Sequence, residues 1–121
     1  MVDVERAREF AIRARGQIRE SNNRAAIVLL ARAFNALEHA AGLDPWNPDA
    51  LYYWSVENLH TDAERHCASF ILELWNEDYL DVIDGGHGGR LGRFDALRAV
   101  AAWDHAHRAA FAVWTLDPWW P

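Results

Sequence analysis

The chain has no lysine, a single cysteine and only four prolines in 121 residues, and nowhere a long apolar run. Each absence excludes something. Cys67 alone cannot form an internal disulfide, which suits a reducing cytoplasm. A membrane helix needs roughly 18 consecutive apolar residues, and the longest stretch here, Ala25 to Ala31, is far too short. Val2-Asp3-Val4-Glu5-Arg6 runs straight into charged, helix-patterned sequence, unlike a secretory signal. No segment alternates apolar and polar residues between turn signals, so no strand is expected. The missing lysines are replaced throughout by arginine. With abundant alanine, this reads as the codon bias of a GC-rich genome and carries no function.

What is present is a chain 51% hydrophobic and 25% charged, the balance of a folded globular protein. A soluble, cytoplasmic, single domain over residues 1–121 is expected. The net charge of −6 is unevenly spread. Residues 1–24 hold six arginines against four acids, whereas residues 38–84 hold eleven acids against Arg65 alone. A basic start and an acidic middle can neutralise each other within the fold or between head-to-tail subunits. An acidic chain without a long basic stripe argues against nucleic acid as a partner.

Apolar residues recur with helical spacing throughout, which predicts an all-α fold of about five helices. The first spans about 3–20, with Val4, Ala7, Ala11, Ala14 and Ile18 on one stripe. The second, 23–41, follows the Ser21-Asn22-Asn23 cluster and stops at Gly42, and its broad apolar face marks it as the central helix. Asn47 as a cap and Pro48 at the first helical position open a third, 48–59. Thr61 and Glu64 have capping-box spacing and open a fourth, 62–83. A Gly-rich flexible loop, 85–92, leads to a fifth, 94–116, expected to bury Leu97, Val100, Trp103, Phe111 and Trp114. The expected arrangement is two antiparallel hairpins plus a long C-terminal helix, as a compact bundle or a short open array.

Ala40, Leu43-Asp44-Pro45, Asn47-Pro48, Ala50 and Tyr53 resemble the junction between tetratricopeptide repeats, where one helical hairpin ends and the next begins. The resemblance covers about a dozen residues. It implies that helices one and two form a first hairpin, its second helix about two turns too long. Helices three and four would form a second hairpin and helix five the cap. The role it implies is protein–protein binding on a concave face.

Several constellations could carry chemistry. Three of the six histidines follow a carboxylate by three residues: Glu57…His60, Asp84…His87 and Asp104…His107. On a helix this spacing puts both side chains on one face, as in di-metal bundles. His107 falls within the apolar arc of the fifth helix beside Trp103, with Asp104 on its flank. It reads as a core histidine satisfied by Asp104, or as a metal or small-ligand site that His60 or Glu38 completes. Helices one and two offer only Glu38 toward such a site, which argues against a di-iron centre. Asp78, Asp81, Asp84 and His87 recur every three residues at a helix end where acids oppose the dipole. Arg90 or Arg93 folding back, the basic first helix, a partner or a cation must compensate. The loop amides with Arg90 or Arg93 could alternatively hold an anion. Arg98 and His105 share a polar face and are similar to the arginine–histidine pair of HEPN ribonucleases, although Ala99 stands where that family usually has a polar residue. Cys67 points inward.

The remaining signal is aromatic. Trp46 sits in the junction, and Asp117-Pro118-Trp119-Trp120-Pro121 cannot continue a helix. Left in water this tail would expose a large apolar patch, so it folds back onto the bundle or docks on another subunit. The sequence reads best as a non-enzymatic helical interaction or adaptor module with no cofactor and no membrane. Trp46, Trp119 and Trp120 stand at its interface, and self-association or a protein partner is expected.

Overall fold

The structure, a computed structural model, describes residues 2–121, with Val2 described by its backbone alone. Among the described residues there is no strand, and seven α-helices replace the five expected. They are α1 (Val2–Arg19), α2 (Asn23–Ala33), α3 (Pro48–Asn58), α4 (Asp62–Trp75), α5 (Tyr79–Val82), α6 (Ala96–Ala102) and α7 (His105–Leu116). Short 3-10 turns follow α2, at Asn35–Leu37, and α5, at Ile83–Gly85. Among the described residues no helix is long and apolar enough to cross a membrane.

Local capping chemistry explains where several helices begin. Asn47 accepts the amide of Ala50 and places Pro48 in the first turn of α3. Thr61 and Glu64 close a reciprocal capping box at α4. Asn22, Asp95 and Asp104 accept the amides of Ala25, Arg98 and His107 at the starts of α2, α6 and α7.

The long helices expected at 23–41, 62–83 and 94–116 are each broken, and tertiary contacts explain two of the breaks. Phe34 leaves α2 in an extended conformation and is fully buried, packed edge-on to Phe70 and tilted against Trp103. Arg6 then caps the exposed helix end by donating to the Arg32 carbonyl at 2.8 Å. Trp103 is likewise extended and 2% exposed, and its indole N–H donates to the Ala63 carbonyl at 2.8 Å. Turning Trp103 inward rotates the preceding segment outward. Leu97 and Val100, expected in the core, are therefore exposed. The break between α4 and α5 is local, because the Asn76 side chain accepts the Asp78 amide at 3.0 Å.

The central helix is α4 rather than the second helix. Its residues from His66 to Leu72 are all buried, and it touches α2, α3, α5, α6 and the first 3-10 turn. Alanine stripes mark two other helices: Ala7, Ala11 and Ala14 of α1 and Ala106, Ala109 and Ala110 of α7 are buried. Alanine lets the helix backbones approach closely, so α1 packs extensively on both α2 and α7.

Candidate functional site

Asp104 is the N-cap of α7 and not a residue on the flank of a longer helix. Its carboxylate accepts the His107 amide at 2.9 Å and lies 3.3 Å from the ring Nδ1. His107 is 8% exposed, stacks on Phe34, and its Nε2 is buried without a partner. Burial lowers its pKa, with Asp104 acting in the opposite sense. A base whose folded pKa is depressed contributes stability that is complete above its unfolded value of 6.5, and that is lost as pH falls below it. His107→Leu is therefore expected to flatten the loss of stability between about pH 7 and pH 5, measured by urea titration at each pH. An unchanged slope would remove His107 from the acid response. His60, proposed as a helper, is exposed on the connection before α4, and Glu38 is engaged by Arg6 at 3.4 Å. Among the described residues no three His, Cys, Asp or Glu side chains gather as a metal site.

Arg98 and His105 fall on different helices because the chain breaks at Trp103–Asp104, so the shared polar face expected for a ribonuclease pair does not form. Arg98 is instead 3.2 Å from Asp62. Cys67 is buried, and desolvation pushes its thiol well above the ordinary range, so it is unreactive.

The glycine-rich segment is ordered by its own charges. Arg90 Nε donates to Asp84 at 2.9 Å, the Tyr52 hydroxyl donates to the same carboxylate at 2.7 Å, and Arg93 pairs with Asp81. Tyr52 and Arg90 together hold the Asp84 carboxyl below its usual range. The Tyr52 hydroxyl in turn accepts the Arg90 amide at 2.7 Å. The arginines thus supply the compensation that the acids require. His87 is exposed and in the left-handed region.

The aromatic tail folds back. Trp119 is 7% exposed and its carbonyl accepts the Trp114 indole N–H at 2.9 Å, while Asp117 lies 3.2 Å from Arg15 and 3.6 Å from Arg19. Trp120 stays 67% exposed.

A concavity of about 680 Å³ runs between α1, α2 and the junction Leu43–Trp46. Its floor is Phe10, Ala25, Val28, Leu29 and Trp46, and Arg13, Arg24 and Arg32 border it. Eight of the twelve arginines make an ion pair or side-chain hydrogen bond. The side chains of the other four, Arg8, Arg13, Arg24 and Arg32, make none with a described residue, and three of them stand at this groove. Asp44 is its one carboxylate. The Trp46 indole N–H is buried without an acceptor and its ring meets Trp75 edge-on at 5.3 Å. Sequence reasoning singled out Trp46 and the basic N-terminal segment separately. It missed Phe10, Arg24 and Arg32 as one site, because only the α1–α2 packing brings them together.

The opposite character collects around α5. A concavity of about 340 Å³ is lined by Asp49, Asn76, Asp78, Tyr79, Val82 and Asp84. Glu77 and Asp78 are exposed and form no ion pair with a described residue, and Val82 projects 75% exposed beside them.

No protein-family model, no curated protein and no solved structure matches this chain.

Proposed function

We propose that the protein is a non-enzymatic interaction module whose arginine-bordered groove receives an acidic protein segment with an apolar anchor, and that a second copy of the chain supplies it. The observation that carries this reading is the three unpaired arginines around one apolar floor. Arginines with no internal carboxylate beside aromatic surface, as where Arg13 lies over the Phe10 ring at 5.1 Å, are the composition of protein interfaces. The α5 end of another copy has the complement, the acids Glu77 and Asp78 with Val82 as the anchor. The resemblance of Leu43-Asp44-Pro45 and its neighbours to tetratricopeptide junctions supports the same class of role, since that junction forms one wall of the groove.

Opposite charges at such a rim act mainly on association rate and register, and salt screens them. The mass by light scattering is expected to rise above the 13.8 kDa of one chain with concentration at low ionic strength. It should return to that value in about 1 M salt, where the screening length is roughly 3 Å. A variant with Arg13→Glu, Arg24→Glu and Arg32→Glu, and another with Glu77→Arg and Asp78→Arg, should each remain monomeric. Mixed together they should pair, because one retains the acidic end and the other the basic groove. A chain that is monomeric at every concentration, or association that survives the triple arginine change, would overturn the reading.

A further inference from the structure

A third concavity, lined in part by α4, has a different chemistry. It encloses about 320 Å³ among Phe70, Phe94, Phe111, Trp114 and Trp120, with Glu73 as its single charged group. Several of the rings meet at steep angles, while Phe111 and Trp114 lie nearer parallel at 26°. Phe70 lies at 84° to Phe111 and 73° to Trp114, and Trp120 lies at 78° to Trp114 with centroids 5.5 Å apart. Trp120 touches Trp114 alone among these rings and is largely exposed, so it forms an outer wall and not part of the core.

Glu73 makes this more than an apolar hollow. One carboxylate oxygen accepts the Phe94 amide at 2.6 Å. The other makes no hydrogen bond, and the side chain forms no ion pair with a described residue. An aromatic face carries negative charge density, and several faces around one carboxylate favour a cation whose hydration is weak enough to be lost. An ammonium carrying alkyl groups meets both conditions, because its methyl surface fits apolar walls while its charge is spread over them. We infer that this pocket binds an alkylated ammonium group, held by the faces of Trp114, Trp120 and Phe94 and balanced by Glu73. Burial raises the Glu73 carboxyl above its usual range, and an entering cation would oppose that shift.

The group could belong to a free small molecule or to a methylated lysine of a protein, and the two sources are separable. The intact protein would be titrated with choline, with a peptide carrying trimethyl-lysine, and with the neutral alcohol in which carbon replaces choline's nitrogen. Methyl proton shifts by nuclear magnetic resonance give the readout, since ring currents move methyls seated among aromatic faces upfield. Saturable upfield shifts are expected for choline or the peptide, the tighter of the two naming the source. The neutral alcohol should bind at least about tenfold more weakly. Trp120→Ala, at an exposed position, should weaken binding about tenfold, and Glu73→Gln about fivefold. Equal binding of the neutral alcohol, or no saturable shift with either cation, would overturn the inference. So would a Trp120→Ala variant that binds as well as the parent.

Discussion

Replacing Trp103 by alanine is expected to cost about 3–5 kcal/mol in a urea titration, the range for removing a buried large aromatic. A domain of this size is stable by about 5–15 kcal/mol, so the variant should lie close to unfolding at room temperature. Trp103 packs on Phe34, Phe94, Phe111 and His107, with ring centroids 5.3–6.3 Å away. These rings come from the segment after α2, the approach to α6 and α7, so one side chain joins three parts of the chain. Trp103→Phe separates its two contributions. It keeps much of the ring packing and loses the hydrogen bond to Ala63, for which about 1–2 kcal/mol is expected. If Trp103→Ala cost less than about 1 kcal/mol, the break between α6 and α7 would need another explanation than burial of this residue.

Gly42→Ala is expected to be nearly as damaging, for a reason in the backbone. Gly42 has φ +86°, where a residue with a Cβ is strained. A Cβ there would also lie 2.5 Å from the Asn47 carbonyl oxygen and 2.6 Å from the Leu51 amide nitrogen. Both are fixed backbone atoms at the start of α3, so nothing flexible can give way. A loss of about 3 kcal/mol or more follows, and at about 4 °C per kcal/mol the melting temperature should fall by more than about 10 °C. Because Leu43 to Trp46 wall the groove, self-association should weaken as well. Gly16→Ala is the matched control. Gly16 lies within α1 with open space around it, and alanine there should stabilise by about 0.5–1 kcal/mol. Equal melting temperatures for the two variants would contradict this account of the junction.

The two candidate binding surfaces were legible to different degrees. The charge asymmetry that underlies the groove is visible as six arginines in residues 1–24, and Trp46 stands out in a turn. Their meeting is not visible, since it depends on α2 ending at Ala33 and on the chain returning across α1. The aromatic pocket was less legible still. Phe70, Phe94, Phe111 and Trp114 all carry the pattern of core residues. Glu73 appears as an ordinary acid among the eleven of residues 38–84, distinguished only once α4 is placed beside Phe94.

Local chemistry was sufficient for the helical class and for the starts of α3 and α4. Asn47-Pro48 and Thr61…Glu64 satisfy free amides within a few residues, whatever the rest of the chain does. The ends and breaks were decided elsewhere. Helical periodicity continues through Phe34 and Trp103, yet each gains more by turning its ring into a shared aromatic core than the local helix loses in backbone hydrogen bonds. The Trp103 turn and the local break at Asn76 make seven helices of an apparent five, and the Phe34 turn shortens the second. The Trp103 turn also moves Asp104 from a helix flank to a cap and exposes Leu97 and Val100. The turns at Phe34 and Trp103 depend on residues far apart in the chain, 40 positions between Trp103 and Ala63 and more between Trp103 and Phe34, and no local pattern encodes a contact at such separations.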